Sequence, residues 1–268
     1  MRRLLIRPGA IGDCILAFPA MEYLAADYTE VWISSAVVPL IQFADVVRPL
    51  SSTGLDLVGV GDLQIQDRLA LHLRSFDSIV SWYGAGRAEF VEAISGLGVV
   101  CEFLAALPPA WYMGPAVDFF AQQVGAPAGL TPRIDVDKPE FRDRVVIHPF
   151  SGSKRKNWPL NLYRQISLQL PVGVEWIAGP EEALAEAVRF ESLHRLASWV
   201  SGARLYIGND SGITHLASAT GMPVLALFGP TNPALWAPRG ENVTVLSCDP
   251  LDELPVERVL EAAQRLLA

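Results

Sequence analysis

The chain has 268 residues, of which 51% are hydrophobic, so it is long enough for one large domain or for two domains of about 130 residues. Its formal net charge of −8 at pH 7 argues against a broad nucleic-acid-binding surface, and no nucleic-acid partner is expected. No run of about 18 apolar residues is present, which predicts no membrane-spanning helix. The three cysteines, Cys14, Cys101 and Cys248, lie far apart and lack metal or disulfide spacing, and the N-terminal segment is too short in apolar residues for a secretory leader. These features favour a cytoplasmic protein.

Short apolar runs alternate with helical patterns in the first half of the chain. The predicted elements, in chain order, are a strand at 3–7, a helix at 13–28, strands at 30–35 and 78–84, and a helix at 88–97. Pro19 predicts either a kink in the first helix or a late start for it. This alternation is typical of an α/β protein with a doubly wound, mostly parallel sheet.

Composition changes at residues 125–144, which are rich in Gly, Pro and charge and show little periodicity. We therefore predict a first domain over 1–128 and a linker over 129–143. A second domain would follow over 144–250. Residues 251–268 would form an amphipathic C-terminal helix.

The alternation of strands and helices resumes after this linker. Strands are predicted at 145–150, 174–179, 204–208 and 223–229, and helices at 158–170, 180–190, 190–200 and 213–220. Two similar α/β halves predict a cleft with ligands at the carboxyl ends of the strands.

The segment GNDSGITHLA, at 208–217, has the strand–turn–helix pattern that directs backbone N–H groups at an anion. Gly208 and Gly212 would allow a close approach, and Ser211 and Thr214 could donate hydroxyl hydrogen bonds. For an Asp–Ser pair before a helix, the simpler interpretation is an ordinary helix cap provided by Asp210 or Ser211. His215 would lie in the first turn, as a ligand contact or as a packed core histidine.

The segment HPFSGSKRKNWP, at 148–159, follows a predicted strand with a hydroxyl-rich, basic loop. Ser151 belongs to the hydroxyl-rich part, and Lys154, Arg155 and Lys156 precede the next helix. A solvated basic turn explains one or two of these cations. One inward lysine about 4 Å from a phosphate would contribute about 4 kcal/mol at an effective dielectric constant near 20.

The segment RPGAIGDC, at 7–14, contains Gly9 and Gly12, which would shape a strand-to-helix turn. Asp13 follows at the predicted start of the helix, where it is either a helix cap or a general base that faces the cleft. A helix N-terminus would keep that carboxylate ionised and would also weaken it as a base.

Together these three segments resemble glycosyltransferase family 9, the ADP-heptose:lipopolysaccharide heptosyltransferases. The residues RPGAIGD with Pro19, the KxWP-like loop and the stretch GNDSGITHLASATGMPVLALFGPTNPALWAP carry the resemblance. It implies a GT-B fold, with two facing Rossmann-like domains of mostly parallel sheet. In such folds the last helix, here 251–268, commonly crosses back and packs on the first domain. It also implies inverting, metal-independent transfer of a sugar, without a cofactor, from a nucleotide-diphosphate donor.

The resemblance also assigns roles to residues of this chain. Asp13 matches the family's catalytic base. The matches to the donor-binding residues are Ser151, Lys156, Asp210, Ser211, Gly212, Thr214 and His215. Glu182 matches an acidic residue that contacts the nucleoside of the donor, although Glu181 is an equal candidate by position.

The implied partners are a nucleotide sugar, ADP-heptose, and a glycolipid or saccharide acceptor of the lipopolysaccharide core. A peripheral contact with the inner membrane surface would fit such an acceptor. Two alternatives stay open: a GT-B sugar-nucleotide epimerase, and a non-catalytic protein that only binds a nucleotide sugar. The compact region from Ser81 to Trp111, on the expected acceptor side, motivates the non-catalytic alternative.

Overall fold

The computed structural model describes residues 1–58, 67–137 and 139–268, and it divides them into two units. The first unit comprises Met1–Tyr112 and Asp118–Ala128. The second comprises Met113–Val117 and Gly129–Ala268. Each unit is built around one five-stranded parallel sheet.

The sheet of the first unit has the order β3-β2-β1-β4-β5. Its strands are β1 (Arg2–Arg7), β2 (Tyr28–Ile33), β3 (Val46–Pro49), β4 (Ser78–Ser81) and β5 (Cys101–Phe103). The helices that follow along the chain are α1 (Ile11–Tyr23), α2 (Asp67–Leu73), α3 (Ala88–Ser95) and α4 (Ala116–Gln123). The strand order reverses between β1 and β4, and ligands of doubly wound proteins bind beside such a reversal.

Strand β1 lies at the centre of this sheet and is buried on both faces, which explains its continuous apolar run from Leu4 to Ile6. Helix α1 packs the run from Cys14 to Met21 into the core. It begins and ends earlier than the predicted 13–28. Pro19 lies inside α1 without ending it, so a late start is excluded.

The sheet of the second unit has the order β10-β9-β8-β6-β7, with its reversal between β6 and β8. Its strands are β6 (Arg142–His148), β7 (Gly173–Trp176), β8 (Ala203–Asn209), β9 (Val224–Phe228) and β10 (Val243–Ser247). The helices are α5 (Leu160–Ser167), α6 (Leu193–Ser201), α7 (Gly212–Ala219), α8 (Pro233–Trp236) and α9 (Val256–Leu267).

The helix predicted at 180–190 is wrong, because this segment forms turns and one strand-like bridge. Ile177 and Val188 form a parallel bridge, in which the Val188 N–H donates to the Trp176 carbonyl at 2.8 Å. The Arg189 guanidinium donates to the carbonyls of Glu182 and Leu184 at 2.7 and 3.0 Å. The Arg189 side chain and the chain at Trp176 thus form the hydrogen bonds that the backbone groups of this segment would have formed with each other in a helix.

Helix α9 packs its apolar face into the core of the second unit, although we expected residues 251–268 to form a helix that could pack on the first domain. Val259 and Ala263 are fully buried there, and α9 contacts α5 and β8. The chain before α9 is attached by the Trp158 indole, whose Nε1 donates to the Leu254 carbonyl at 3.0 Å. Among the described residues, no helix combines the length and apolar character that crossing a membrane requires.

Candidate functional site

The loop after β1 is organised by a buried arginine. The side chain of Arg7 is only 1% exposed, and its guanidinium donates to three backbone carbonyls. Nη1 donates to Pro8 at 2.8 Å, while Nη2 donates to Asp13 at 3.1 Å and to Ala106 at 3.2 Å. Burial lowers the pKa of Arg7, which the nearby Cys14 and Asp13 partly oppose. Arg7 therefore fixes the backbone of the segment that carries Asp13.

Asp13 lies half-buried in the first turn of α1, and Ala10 occupies the N-cap position. The interpretation of Asp13 as the helix cap is therefore wrong. Gly9 is attached to the loop after β2, because its N–H donates to Ser34 Oγ at 2.9 Å and that hydroxyl donates back to the Gly9 carbonyl at 2.7 Å. Gly12 lies beside Asp13 in the same turn of α1. The result is a carboxylate held near the positive end of a helix.

In the second unit, Asn209 joins two loops at the end of β8. Its Oδ1 accepts hydrogen bonds from the Trp158 backbone N–H at 3.0 Å and from the Tyr163 hydroxyl at 2.8 Å. Its own carbonyl accepts from the Thr214 hydroxyl. Asn209, Trp158 and Tyr163 are fully buried. Asn209 thus places the loop that contains Lys156 next to the start of α7.

Lys156 forms an ion pair at this position. Its Nζ lies 2.8 Å from Oδ2 of Asp210, the residue that follows β8. The Lys156 side chain is 34% exposed, whereas Asp210 is 7% exposed. Lys154 and Arg155 are exposed, so the basic loop contributes one inward cation and two solvated ones. This agrees with the expectation that a solvated turn explains one or two of the three cations, and it leaves Lys156 as the candidate for an anion contact.

Helix α7 begins at Gly212 with Ser211 as its N-cap, whose Oγ accepts from the Thr214 N–H. Gly212 and Ile213, whose N–H groups open the helix, are partly exposed. His215 is buried in the first turn. Burial and the Lys156 charge lower the pKa of His215 to about 4 against the opposing effect of Asp210, so its imidazole is neutral at pH 7.

Glu182, rather than Glu181, has its carboxylate fixed. Its Oε2 accepts from the Gly179 N–H at 2.6 Å and lies 3.0 Å from Nε2 of His148, the last residue of β6. Burial raises the pKa of Glu182, but the hydrogen bonds from His148 and Gly179 outweigh this effect and lower it overall. Glu181 is exposed. An ionised carboxylate therefore lies at the end of β6, beside the reversal in strand order.

Two other predicted residues have more local roles. The Ser151 hydroxyl lies 2.6 Å from Oδ1 of Asn157 and 2.8 Å from the Ser153 carbonyl, so its proton is engaged within the loop. Gly208 belongs to β8 rather than to the following turn, and a Cβ there would lie 2.6 Å from the Tyr206 hydroxyl. Gly208 is needed for packing, and the turn itself begins with Asp210.

The polar residues of the second unit lie at the carboxyl ends of β6 and β8, on either side of the strand-order reversal. One cation, a helix N-terminus and several hydroxyl groups can bind an anion there. Within residues 1–58, 67–137 and 139–268, no three His, Cys, Asp or Glu side chains cluster as metal ligands. The sequence analysis did not assign roles to Arg7 and Asn209. The available signal was that each is a polar or charged residue at the end of an apolar strand.

Comparison with known proteins identifies the family. The model of glycosyltransferase family 9 (heptosyltransferase) matches residues 128–264, about half of the chain. Lipopolysaccharide heptosyltransferase 1 of Salmonella typhimurium is 31% identical over 114 residues, which are 37% of this chain and 36% of that protein. The chain thus matches this curated relative over only about a third of its length.

Solved structures extend the similarity of fold to both units. Escherichia coli ADP-heptose lipopolysaccharide heptosyltransferase II has a TM-score of 0.77 at 17% identity, over 100% of this chain and 98% of that one. The E. coli heptosyltransferase WaaC with ADP has a TM-score of 0.69 at 16% identity, over 99% and 100% of the two chains. These likenesses confirm the predicted α/β GT-B fold. From its sequence, this chain belongs to glycosyltransferase family 9.

Proposed function

We propose that the protein is an inverting, metal-independent glycosyltransferase that needs no cofactor. It would move heptose from ADP-heptose to a saccharide acceptor of the lipopolysaccharide-core type. The observation that carries the proposal is the placement of Lys156, 2.8 Å from Asp210, at the start of α7 in a chain that belongs to family 9. Neighbouring structures are named as complexes with ADP and with ADP-2-deoxy-2-fluoro heptose, which supports this choice of donor.

The donor diphosphate would bind against the first N–H groups of α7 and the ammonium of Lys156. The helix terminus would contribute roughly 0.3–1 kcal/mol, whereas an ammonium at about 4 Å contributes about 4 kcal/mol at an effective dielectric constant near 20, from which the repulsion by the neighbouring Asp210 subtracts. The role of Asp210 would be to hold Lys156 in place through their ion pair, and Ser211, Gly212, Thr214 and His215 would shape the helix start.

Ser151 would complete the diphosphate contact once its hydroxyl leaves its partners within the loop. Glu182, whose Oε2 is fixed by Gly179 and His148, would accept from a hydroxyl of the nucleoside through its other oxygen. Both assignments come from the family resemblance.

Asp13 would act as the general base. It would accept the proton of an acceptor hydroxyl while that oxygen attacks the anomeric carbon and the bond to the diphosphate breaks. Lys156 and the start of α7 would stabilise the negative charge that grows on the leaving group. Arg7 supports this role by fixing the Asp13 backbone through Nη2.

The acceptor would be a glycolipid of the lipopolysaccharide core, reached from the cytoplasmic side through a peripheral contact with the inner membrane. The name of the Salmonella relative supports this class of acceptor. Three free cysteines in the described residues are compatible with the cytoplasm.

The test compares sugar transfer and donor binding in Asp13→Asn and Lys156→Ala, with ADP-heptose as donor and a lipopolysaccharide-core acceptor. Asp13→Asn should abolish transfer and leave the donor Kd within about twofold. Lys156→Ala should weaken donor binding by at least about tenfold. Lys154→Ala is the matched control, because Lys154 is an exposed lysine of the same loop.

Equal rates of donor hydrolysis in the wild type and in Asp13→Asn would contradict the role of Asp13 and would favour a protein that only binds the nucleotide sugar. An epimerised nucleotide sugar formed without any acceptor would instead identify an epimerase. Product analysis by mass spectrometry and chromatography separates these outcomes.

A further inference from the structure

A cavity of about 630 Å³ lies in the first unit, away from Asp13, between α2 and the β3 edge of the sheet. The lining residues include Trp32 of β2, Arg48 of β3, and Arg68 and His72 of α2. This volume is within the range of small-molecule sites. None of the residues discussed above for glycosyl transfer lines it.

A buried carboxylate contacts three of the side chains that line the cavity. Glu30 of β2 is 0% exposed, and its Oε1 accepts from Trp32 Nε1 at 2.7 Å and Arg48 Nε at 2.8 Å, with His72 Nε2 at 3.1 Å. Burial raises the pKa of Glu30, but the hydrogen bonds from Trp32, His72 and Arg48 outweigh this effect and lower it. Glu30 is therefore ionised at neutral pH.

These contacts fix the orientation of the two basic side chains. Because Arg48 uses Nε for Glu30, its Nη1 and Nη2 groups remain for other partners, and its side chain is 50% exposed. His72 uses Nε2, and its ring stacks on Trp32 at 5.8 Å with an interplanar angle of 6°. Fixed donors lose less conformational entropy when a ligand binds.

The described part of the lining has a net positive charge in an acidic protein. Arg48 and Arg68 are its two arginines, Arg48 is paired with the buried carboxylate of Glu30 behind it, and Arg68 therefore provides the excess charge. The net charge of the whole chain is −8, so general electrostatics would repel an anion and a local cluster must bind it.

We propose that this cavity binds the phosphate group of a soluble small molecule of about the size of a phosphorylated monosaccharide. Arg48 and Arg68 would bind the phosphate through their guanidinium groups. Leu71, which is 67% exposed, would supply the apolar part of the wall. The inference does not depend on the proposed glycosyl transfer.

The test measures binding of glucose 6-phosphate by isothermal titration calorimetry, with inorganic phosphate and glucose in parallel titrations. All variants carry Lys156→Ala, so that the anion site of the second unit does not contribute. Arg68→Ala should weaken binding of glucose 6-phosphate by at least about fivefold. The control is Arg258→Ala, which removes the same charge from an exposed position on α9 and should leave affinity unchanged.

A second variant tests the oriented guanidinium. Arg48→Lys keeps the charge and can keep the ion pair with Glu30, but it lacks the planar guanidinium fork that binds a phosphate through two parallel hydrogen bonds, so it should also bind at least about fivefold more weakly. Its thermal midpoint shows whether the fold is retained. Equal affinities in Arg68→Ala, Arg48→Lys and Arg258→Ala would overturn the proposal, as would equal binding of glucose and glucose 6-phosphate.

A lipid headgroup offers the same phosphate chemistry, so sedimentation with phosphatidylglycerol vesicles forms a separate arm. Vesicle binding that depends on Arg68, without binding of glucose 6-phosphate, would overturn the assignment to a soluble ligand. Weaker binding of inorganic phosphate with the same dependence on Arg68 would support it.

Discussion

Replacement of Asn209 by alanine should test whether this residue organises the Lys156 loop. Asn209 Oδ1 is the acceptor for the buried Trp158 N–H at 3.0 Å and the buried Tyr163 hydroxyl at 2.8 Å. Each donor left without a partner costs about 1–3 kcal/mol. The Asn209 Nδ2 group is itself buried without a partner, so deleting it removes one penalty of the same size. Two new penalties less the one removed leave an expected net destabilisation of about 1–3 kcal/mol.

A double-mutant cycle separates this effect from general loss of packing. Tyr163→Phe removes the hydroxyl that Asn209→Ala leaves without a partner. The double variant should therefore lose about 1–3 kcal/mol less than the sum of the single variants. Urea denaturation monitored by circular dichroism measures the unfolding free energy of all four proteins. The comparison requires that the dependence of this free energy on urea concentration is the same in each. Additivity within about 0.5 kcal/mol would refute the reasoning, since it would mean that the two side chains do not interact.

Two further variants test the buried groups around α7. The pKa of His215 is about 4 in the folded chain against an ordinary value of about 6.5, so folding stability should fall by up to roughly 3 kcal/mol as pH decreases from 6.5 to 4. In urea titrations at a series of pH values, His215→Gln should remove this decrease in unfolding free energy. The control His194→Gln should retain it. A wild-type stability that does not change between pH 6.5 and 4 would contradict the assignment. Gly208→Ala should lower the thermal midpoint by an amount equivalent to about 1–3 kcal/mol, because the added Cβ would lie 2.6 Å from the buried Tyr206 hydroxyl. Gly152→Ala is the control, because no atom lies within 4 Å of its added Cβ, and equal midpoints for both would count against a clash.

The sequence was sufficient to predict the parallel α/β architecture, because strands that are buried on both faces of a parallel sheet have short, continuous apolar sequences. The run at 145–147 in β6 and the run at 224–228 in β9 are examples. The strands that were missed are short or partly exposed. Strand β5 has three residues and β3 has four, of which none is fully buried. Such edge strands lack a periodic signal of their own and form through pairing with a neighbour.

Local pattern also led to the wrong helix at 180–190. Its alanines and glutamates favour a helix in isolation, whereas the bridge from Ile177 to Val188 and the contacts of Arg189 decide its conformation. These interactions depend on residues brought together by the fold and have no local signature.

In the candidate site, the predictable part was the chemistry carried by consecutive residues, such as Lys156 in its basic loop and the start of α7. The supporting contacts join residues far apart in the chain. Asn209 is 51 residues from Trp158, and Arg7 is 99 residues from Ala106. No motif reports such distant pairings, so they became visible only in three dimensions.

The hydrogen bond from the Trp158 indole to the Leu254 carbonyl has a practical consequence for work with fragments of this protein. Removing the chain from Leu254 onward would expose the apolar residues covered by α9 and would also detach one anchor of the Lys156 loop. A shortened protein that lost donor binding would thus say nothing about a ligand contact in the deleted tail. Only substitutions on the exposed side of α9 can address that question.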